Sequence, residues 1–292
     1  MTATARILSL HIYPLKSCAG IDLAESSLDR AGLAHDRRWM LVDDDGIFMT
    51  QRSVPAMARI RPELAGAVLR LHAPGMDPLD VPLDGSELAG AVDNVVVWGD
   101  KVAARAEHAR TSQWLSRFLG RPCRLMKVDA QARRPARSEW VERWRAGHAE
   151  LAAPFAGEHL FGFADGFPLL VANQASLDDL NARLAAQGKP AVSMNRFRPN
   201  IVVQGEWGAF EEDYTALVSA GPARLALVKP CTRCSIPDVD PATGEPGDEP
   251  GRTLAAFRTL DIGVVFGQNA IVAENKPVHL KVGDPVGIEL DF

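Results

Sequence analysis

The sequence predicts a mainly β protein, built of β-barrel modules with a few α-helices. Short runs of β-forming residues, separated by clusters of Gly, Pro and Asp, fill residues 1–105 and return after residue 268. Clear helical faces with recognisable ends occur in only two segments. Several short strands with frequent turns are typical of a barrel or a sandwich.

The first strands follow one another closely along the chain. Residues 6–13 are rich in β-formers, and residues 38–42 and 47–50 flank a run of three aspartates that ends in Gly46. That arrangement is a hairpin signature. Further strands are predicted at residues 67–72, 94–98 and 101–106.

Two helices are predicted from their apolar faces and their ends. In residues 111–119, Trp114, Leu115 and Phe118 share one face, and Gly120 follows as a stop signal. The second helix is predicted to begin at a capping box formed by Ser176 and Asp179 and to close at residues 188–190.

The rest of the chain is again mostly β. Strands are predicted at residues 121–128, 167–171, 200–203, 224–228, 269–272, 279–282 and 286–290. Residues 130–147 mix five arginines with Trp140 and Trp144, and we interpret them as an irregular or partly helical connection. A domain boundary is expected near residues 107–125, which gives two domains at residues 1–120 and 121–292.

Composition narrows the classes of function. The 292 residues carry a formal net charge of −5, so neither nucleic acid nor an anionic membrane is the expected partner. No apolar stretch approaches the roughly 18–20 residues that span a bilayer. Four cysteines do not form a disulfide framework in a chain of this size. We therefore expect a protein of the reducing cytoplasm.

The most informative segment is Cys231-Thr232-Arg233-Cys234, which follows a predicted buried strand. Two cysteines at this spacing can be half of a zinc site, a redox pair, a single thiolate bound to a metal or cofactor, or two half-buried thiols. A structural zinc site needs four ligands, and the chain has no second such pair. The prolines that follow disfavour the helix of a thioredoxin-like pair. The last two alternatives remain open.

Three polar turns could hold an anion. Lys16 and Ser17 follow the first strand, Arg37 lies in a second turn, and residues 195–200 contain two arginines and two asparagines before a strand. Cations, hydroxyls and backbone N–H groups together suit a phosphate. Taken singly, each turn is better explained as a solvated polar loop.

Six segments occur together in a characteristic order: "YPLKSCAGI", "DRRWMLVD", "FPLLVANQASLDDLN", "RFRPNIVV", "KPCTRCSIPDVDPATGE" and "LKVGDPV". Over nearly its whole length, the chain resembles a MOSC protein with an N-terminal β-barrel domain. It is similar to the mitochondrial amidoxime-reducing component and its bacterial relatives. This resemblance implies a MOSC-type β-barrel fold that binds the molybdenum cofactor (molybdopterin with Mo).

The resemblance also implies roles for particular residues. Cys234 would be the metal-ligating cysteine, with Cys231 as an accessory thiol. The residues expected to contact the cofactor are Lys16, Ser17, Arg37, Asp165, Arg198, Asn200, Thr232 and Arg233. Asp238 or Asp240 could relay protons, although the simpler interpretation is that these acids form the turn. Two departures affect the expected substrate pocket: Asn269 replaces a tyrosine found in family members, and Gly166-Phe167 replaces a polar pair.

The implied activity is reduction of small N-hydroxylated substrates, with electrons from a separate donor protein. No flavin, haem or iron–sulfur motif is present. The alternative is a cofactor carrier or sulfur-transfer module, because MOSC domains also form the C-terminal part of molybdenum cofactor sulfurases.

Overall fold

The structure, a computed structural model, describes residues 5–291. It contains nineteen strands within these residues: β1 Ala5–Ile12, β2 Ile21–Leu23, β3 Glu25–Asp29, β4 Gly32–Leu33, β5 Trp39–Val42, β6 Arg61–Ala65, β7 Val68–His72, β8 Leu79–Pro82, β9 Ala89–Val97, β10 Asp100–Ala106, β11 Arg124–Val128, β12 Leu169–Asn173, β13 Ile201–Gly205, β14 Thr215–Ala220, β15 Ala223–Thr232, β16 Thr259–Leu260, β17 Gly263–Val272, β18 Val278–Lys281 and β19 Pro285–Leu290. The α-helices in the same range are α1 Ala109–Leu119, α2 Ser138–Gly147, α3 Gln174–Ala186 and α4 Gly251–Ala255.

The largest sheet closes into a seven-stranded barrel. Its strands lie in the order β12, β13, β1, β19, β14, β15 and β17, and β17 pairs back to β12 to close it. The β12–β13 pair is parallel and the other pairs are antiparallel. Apolar side chains from every barrel strand form one buried core cluster. The predicted mainly β fold with barrel modules and few helices is confirmed.

Three smaller sheets lie outside the barrel. They have the orders β5-β11-β10-β9, β6-β7-β8 and β18-β3-β4. Strand β1 pairs with β13 in the barrel, and β11 pairs with both β5 and β10. The sheets therefore combine strands from distant parts of the chain. The division into domains at residues 1–120 and 121–292 stays a prediction.

The end of the first helix was predicted correctly. Helix α1 stops at Leu119 because Gly120 follows with φ 66°, a left-handed conformation that glycine adopts without strain. Trp114 and Phe118 pack against the core cluster that surrounds the buried Leu115. The ambiguous residues 130–147 form an irregular segment followed by α2.

The predicted capping box of the second helix is wrong. Helix α3 begins at Gln174, and Asn173 caps it by accepting a hydrogen bond from the backbone N of Ala175 at 3.0 Å. Ser176 is buried inside the helix and donates its hydroxyl to Glu212. The serine that the sequence pattern assigned to capping therefore donates its hydrogen bond to the buried carboxylate of Glu212 instead.

The hairpin predicted around the three aspartates forms only in part. Gly46 adopts a positive φ of 74°, as the turn requires. Beyond it, Ile47 and Phe48 make isolated bridges, and no strand covers residues 47–50. No helix in the described residues is long and apolar enough to cross a membrane.

Candidate functional site

A single cleft gathers nine of the eleven predicted site residues. Its volume, counted to the open mouth, is about 790 Å³. The chain reaches it from five separate segments: the turn after β1, the turn before β5, the loop before β12, the turn before β13 and the end of β15. The predicted residues that line it are Lys16, Ser17, Arg37, Asp165, Arg198, Asn200, Thr232, Arg233 and Cys234.

Lys16 lies on the wall of this cleft with its ammonium group held by two acceptors. Its Nζ donates to Asp165 Oδ1 at 2.5 Å and to the backbone oxygen of Phe163 at 2.8 Å. Burial lowers the pKa of Lys16, and the adjacent carboxylate opposes that shift. An ammonium has three donors, so one remains for an anion in the cleft.

Asp165 is held in its ionised form. Desolvation in the cleft alone would raise the pKa of this carboxyl, but attraction to Lys16 and hydrogen bonds from Lys16 and Trp98 bring the pKa well below its usual range. The side chain is 73% exposed to the open cleft, so water weakens both effects. The carboxylate is thus available to hydrogen-bond donors of a ligand.

Arg37 and Arg198 both stack on the ring of Tyr13. Their guanidinium carbons lie 4.3 and 4.2 Å from the ring centroid. Arg37 also donates to Asp36 Oδ2 at 2.6 Å, and Arg198 donates to the backbone oxygen of Cys18 at 2.6 Å. Burial and the neighbouring Arg37 lower the pKa of Arg198 to about 10. Both side chains are therefore held in fixed positions as cations of the cleft.

Three site residues adopt left-handed backbone conformations. The φ angles are 64° at Ser17, 46° at Arg37 and 58° at Arg198. Such angles cost roughly 1–3 kcal/mol at non-glycine residues and persist where the surrounding structure imposes them. Their concentration around one cleft is typical of a binding site.

Asn200 lines the cleft but has a structural task. Its Nδ2 donates to the backbone oxygen of His11 at 3.2 Å, and its Oδ1 accepts from the backbone N of Leu170 at 3.1 Å. The buried side chain therefore ties β1 to β12 at the cleft floor.

The two cysteines differ in their surroundings. Strand β15 continues to Thr232, so Cys231 is the half-buried member of the pair and Cys234 lies exposed beyond the strand. Arg233 Nη1 donates to Cys231 Sγ at 3.0 Å, and its Nη2 donates to the backbone oxygen of Phe197 at 2.8 Å. The exposed Thr232 hydroxyl accepts from Lys229 at 3.1 Å. Only a single 3₁₀ turn, Ile236–Asp238, follows the pair.

Asp238 and Asp240 do not line the cleft. Asp238 Oδ1 accepts from the backbone N of Gly251 at 2.7 Å, and Asp240 Oδ1 accepts from the backbone N of Ala242 at 2.8 Å. Asp240 also pairs with Arg196 at 3.2 Å. These bonds hold the loop after the cysteines, and the proposed proton relay stays a prediction.

Sequence reasoning missed two residues that build the site. Trp98 lines the cleft and donates to Asp165. Arg134, 2% exposed, donates to Asp100 and to the backbone oxygens of Gly162 and Asp165. The only sequence signal was the arginine-rich segment that contains Arg134, and this signal does not say which arginine is buried.

Comparison with known proteins identifies the family of the chain. Residues 4–122 match the MOSC N-terminal beta barrel domain, and residues 156–287 match the MOSC domain. Human mitochondrial amidoxime-reducing component 1 is 32% identical over 294 residues, which cover 96% of this chain and 82% of that protein. Rat mitochondrial amidoxime reducing component 2 is also 32% identical, with 94% and 80% covered.

Human molybdenum cofactor sulfurase is 29% identical over 96% of this chain, but the chain spans only 32% of the sulfurase. Both kinds of relative match along almost the whole chain, and the two domain matches lie in the same order as the resemblance predicted. The chain belongs to the family of MOSC-domain proteins that carry an N-terminal MOSC β-barrel domain.

Proposed function

We propose that this protein is a molybdenum-cofactor-dependent oxidoreductase that reduces N-hydroxylated compounds with electrons from a separate donor protein. The observation that carries the proposal is the cleft itself. One exposed cysteine shares it with a buried lysine, two fixed arginines and a carboxylate, all from distant segments. The names of the amidoxime-reducing relatives support the choice of reaction.

The chemistry of the donor set fits the cofactor. Molybdenum is a metal for soft sulfur ligands, and Cys234 offers a thiol at the cleft without a competing bond partner among the described residues. Within residues 5–291, no group of three or more His, Cys, Asp or Glu side chains could hold a metal by itself. The remaining ligands would therefore come from the cofactor, as they do in a dithiolene complex.

The polar residues fit the organic part of the cofactor. Lys16, Arg37 and Arg198 supply positive charge for a phosphate, and Ser17 adds a hydroxyl and a backbone N–H. Asp165 offers a carboxylate to ring N–H donors. Because all three cations are already held in place, little side-chain freedom would be lost on binding.

When bound, the cofactor would supply the two-electron chemistry that cleaves an N–O bond. An N-hydroxylated substrate then takes up two electrons and two protons, and it gives the amine or amidine and water. The residues of this chain would hold the reacting centre: Cys234 would bind the metal, and Lys16, Arg37 and Arg198 would hold the phosphate. Delivery of protons by Asp238 or Asp240 remains a prediction.

Anaerobic turnover tests the proposal. Molybdenum-loaded protein is mixed with benzamidoxime and reduced methyl viologen, and benzamidine is measured by chromatography. We expect product with the wild-type chain and none with Cys234→Ala. If fully loaded protein made no product from benzamidoxime or 6-hydroxylaminopurine with several reduced donors, the reductase proposal would be wrong.

A second candidate is a cofactor carrier or sulfur-transfer module. Cys231 favours it, because a thiol beside a guanidinium at 3.0 Å could bear a persulfide as an anion. The similarity to molybdenum cofactor sulfurase also points this way, although only 32% of that protein is covered. Mass spectrometry of freshly purified protein would show an added sulfur on Cys231 or Cys234 if this candidate is correct.

A further inference from the structure

We propose that Trp98 is a positioning residue of the cofactor site: its indole N–H fixes the orientation of Asp165. The inference rests on the proposed function, since it assigns Asp165 to the cofactor. Trp98 Nε1 donates to Asp165 Oδ1 at 2.8 Å, and Lys16 Nζ donates to the same oxygen at 2.5 Å. Two donors thus hold one carboxylate oxygen.

The other carboxylate oxygen is left for a ligand. Among the described residues, no hydrogen bond reaches Asp165 Oδ2, and the side chain is 73% exposed in the cleft. A carboxylate held at only one oxygen can still rotate about its terminal bond. Two donors that converge on Oδ1 from different segments restrict this rotation, so Oδ2 keeps one direction.

The backbone of Trp98 indicates that its position is imposed. Val97 pairs with Asp100, so Trp98 and Gly99 form a two-residue hairpin turn between β9 and β10. Their φ angles are 54° and 85°, as a type I′ turn requires. Asn, Asp or Gly normally occupies the first of these positions, and a bulky residue there is strained. A strained tryptophan at a cleft is a reason to look for its function.

The turn and the loop of Asp165 are joined a second time. Asp100, the residue after the turn, accepts from Arg134 Nε at 3.0 Å. Arg134 in turn donates to the backbone oxygens of Gly162 and Asp165 at 3.1 and 2.8 Å. The side chain of Asp165 is therefore held by Trp98 while its backbone is held through Asp100. Both holds come from the same hairpin.

The contacts around the indole ring of Trp98 support the same role. Its ring lies 4.4 Å from the guanidinium of Arg52 and 5.1 Å from the ring of Phe48. These contacts keep the indole in place although 42% of the residue is exposed. A residue that served only to pack the core would be buried and would need no left-handed backbone.

Trp98→Phe removes the N–H donor and keeps an aromatic ring. The matched control is Trp114→Phe, because Trp114 Nε1 donates to the backbone oxygen of Asp77 at 2.8 Å, outside the residues that line the cleft. At a solvated carboxylate such as Asp165, loss of one hydrogen bond has the net effect of an ordinary one, about 3- to 10-fold on an equilibrium. We expect molybdenum to dissociate about 3- to 10-fold faster from loaded Trp98→Phe and at the wild-type rate from the control.

A second measurement needs no cofactor. In the ¹H–¹⁵N spectrum of the cofactor-free protein, the indole resonance of Trp98, assigned from its loss in Trp98→Phe, should move upfield in Asp165→Ala. The Trp114 resonance should stay in place. Wild-type retention of molybdenum by Trp98→Phe, or a Trp98 resonance indifferent to Asp165→Ala, would overturn the inference. Failure of the wild-type chain to hold molybdenum would instead count against the proposed function, while the spectrum would still decide on the pairing.

Discussion

Arg233 pairs with Cys231, not with the neighbouring Cys234: its Nη1 lies 3.0 Å from Cys231 Sγ. The guanidinium therefore contacts the half-buried thiol and leaves Cys234 exposed at the cleft. This arrangement gives the two cysteines different surroundings. We propose that the thiol with the protein partner is an accessory group and that the thiol without one is the metal ligand.

Substitution of each cysteine should separate these roles. We expect Cys234→Ala to lose nearly all molybdenum, because Cys231, the other thiol at the cleft, is held by Arg233. Cys231→Ala should keep much of it, since only a contact to Arg233 disappears. Molybdenum per chain, measured by mass spectrometry after purification, checks both expectations. Equal loss in the two variants would indicate a site that uses both thiols.

Lys16 can be tested by Lys16→Met, which keeps the aliphatic stem and removes the charge. We expect loss of cofactor retention, because the buried ammonium is a main cation of the proposed phosphate site. The free energy of unfolding should fall by no more than about 1–3 kcal/mol, because Asp165 stays solvated in the cleft and only the bond to the backbone oxygen of Phe163 is lost from the interior. Isothermal calorimetry with the cofactor and urea unfolding measure the two effects. Full cofactor affinity in this variant would exclude Lys16 from the phosphate site.

The sequence allowed the elements to be predicted better than their partners. Gly120 marked the end of α1 because its left-handed conformation is a local property. Strand β1 pairs with β13 and β19, whose residues lie almost 200 positions or more further along the chain. No local sequence pattern encodes this pairing. The motifs of the resemblance contain eight of the nine cleft residues, and Asp165 lies two residues before one of them.

Residues that hold other residues in position were not predicted from the sequence. Arg134 donates to backbone oxygens, which every residue carries. These bonds therefore leave no recognisable partner residue in the sequence. Trp98 occupies a turn position where the usual residues are Asn and Gly, so its sequence suggested the end of a strand. Asn173 replaced Ser176 as the helix cap because Glu212, 36 residues away from Ser176, takes the serine hydroxyl. Each miss reflects a tertiary contact.

Gly20 should be intolerant of a side chain. A Cβ at this position would lie 2.6 Å from Cε1 of Tyr13, the buried ring that carries Arg37 and Arg198. Gly20→Ala should therefore shift the ring, weaken cofactor retention and lower the free energy of unfolding by about 1–3 kcal/mol. Gly147→Ala is the matched control, because a Cβ there meets nothing within 4 Å. The free energies of unfolding of the two variants, measured with urea, should differ. Equal values would show that the Tyr13 ring moves aside without an energetic cost.

Glu212 should make stability depend on pH. The carboxyl is 1% exposed, and burial raises its pKa to about 7 even though Ser176 and Asn173 donate hydrogen bonds to it. In the unfolded chain a glutamate titrates near 4.5. The folded state thus binds one more proton between these two values. Stability contributed by protonated Glu212 is complete below about pH 4.5 and is lost as the pH rises to 7.

Glu212→Gln removes this titration and keeps a hydrogen-bonding side chain of the same size. A shift of this size corresponds to about 3 kcal/mol. We therefore expect the stability of the wild type relative to the variant to fall by up to this amount between pH 5 and pH 8. Urea unfolding of both proteins at intervals of one pH unit gives the difference directly. If the two curves ran parallel over this range, the carboxyl would be ionised in the folded protein, and the hydrogen bonds from Ser176 and Asn173 would outweigh its burial.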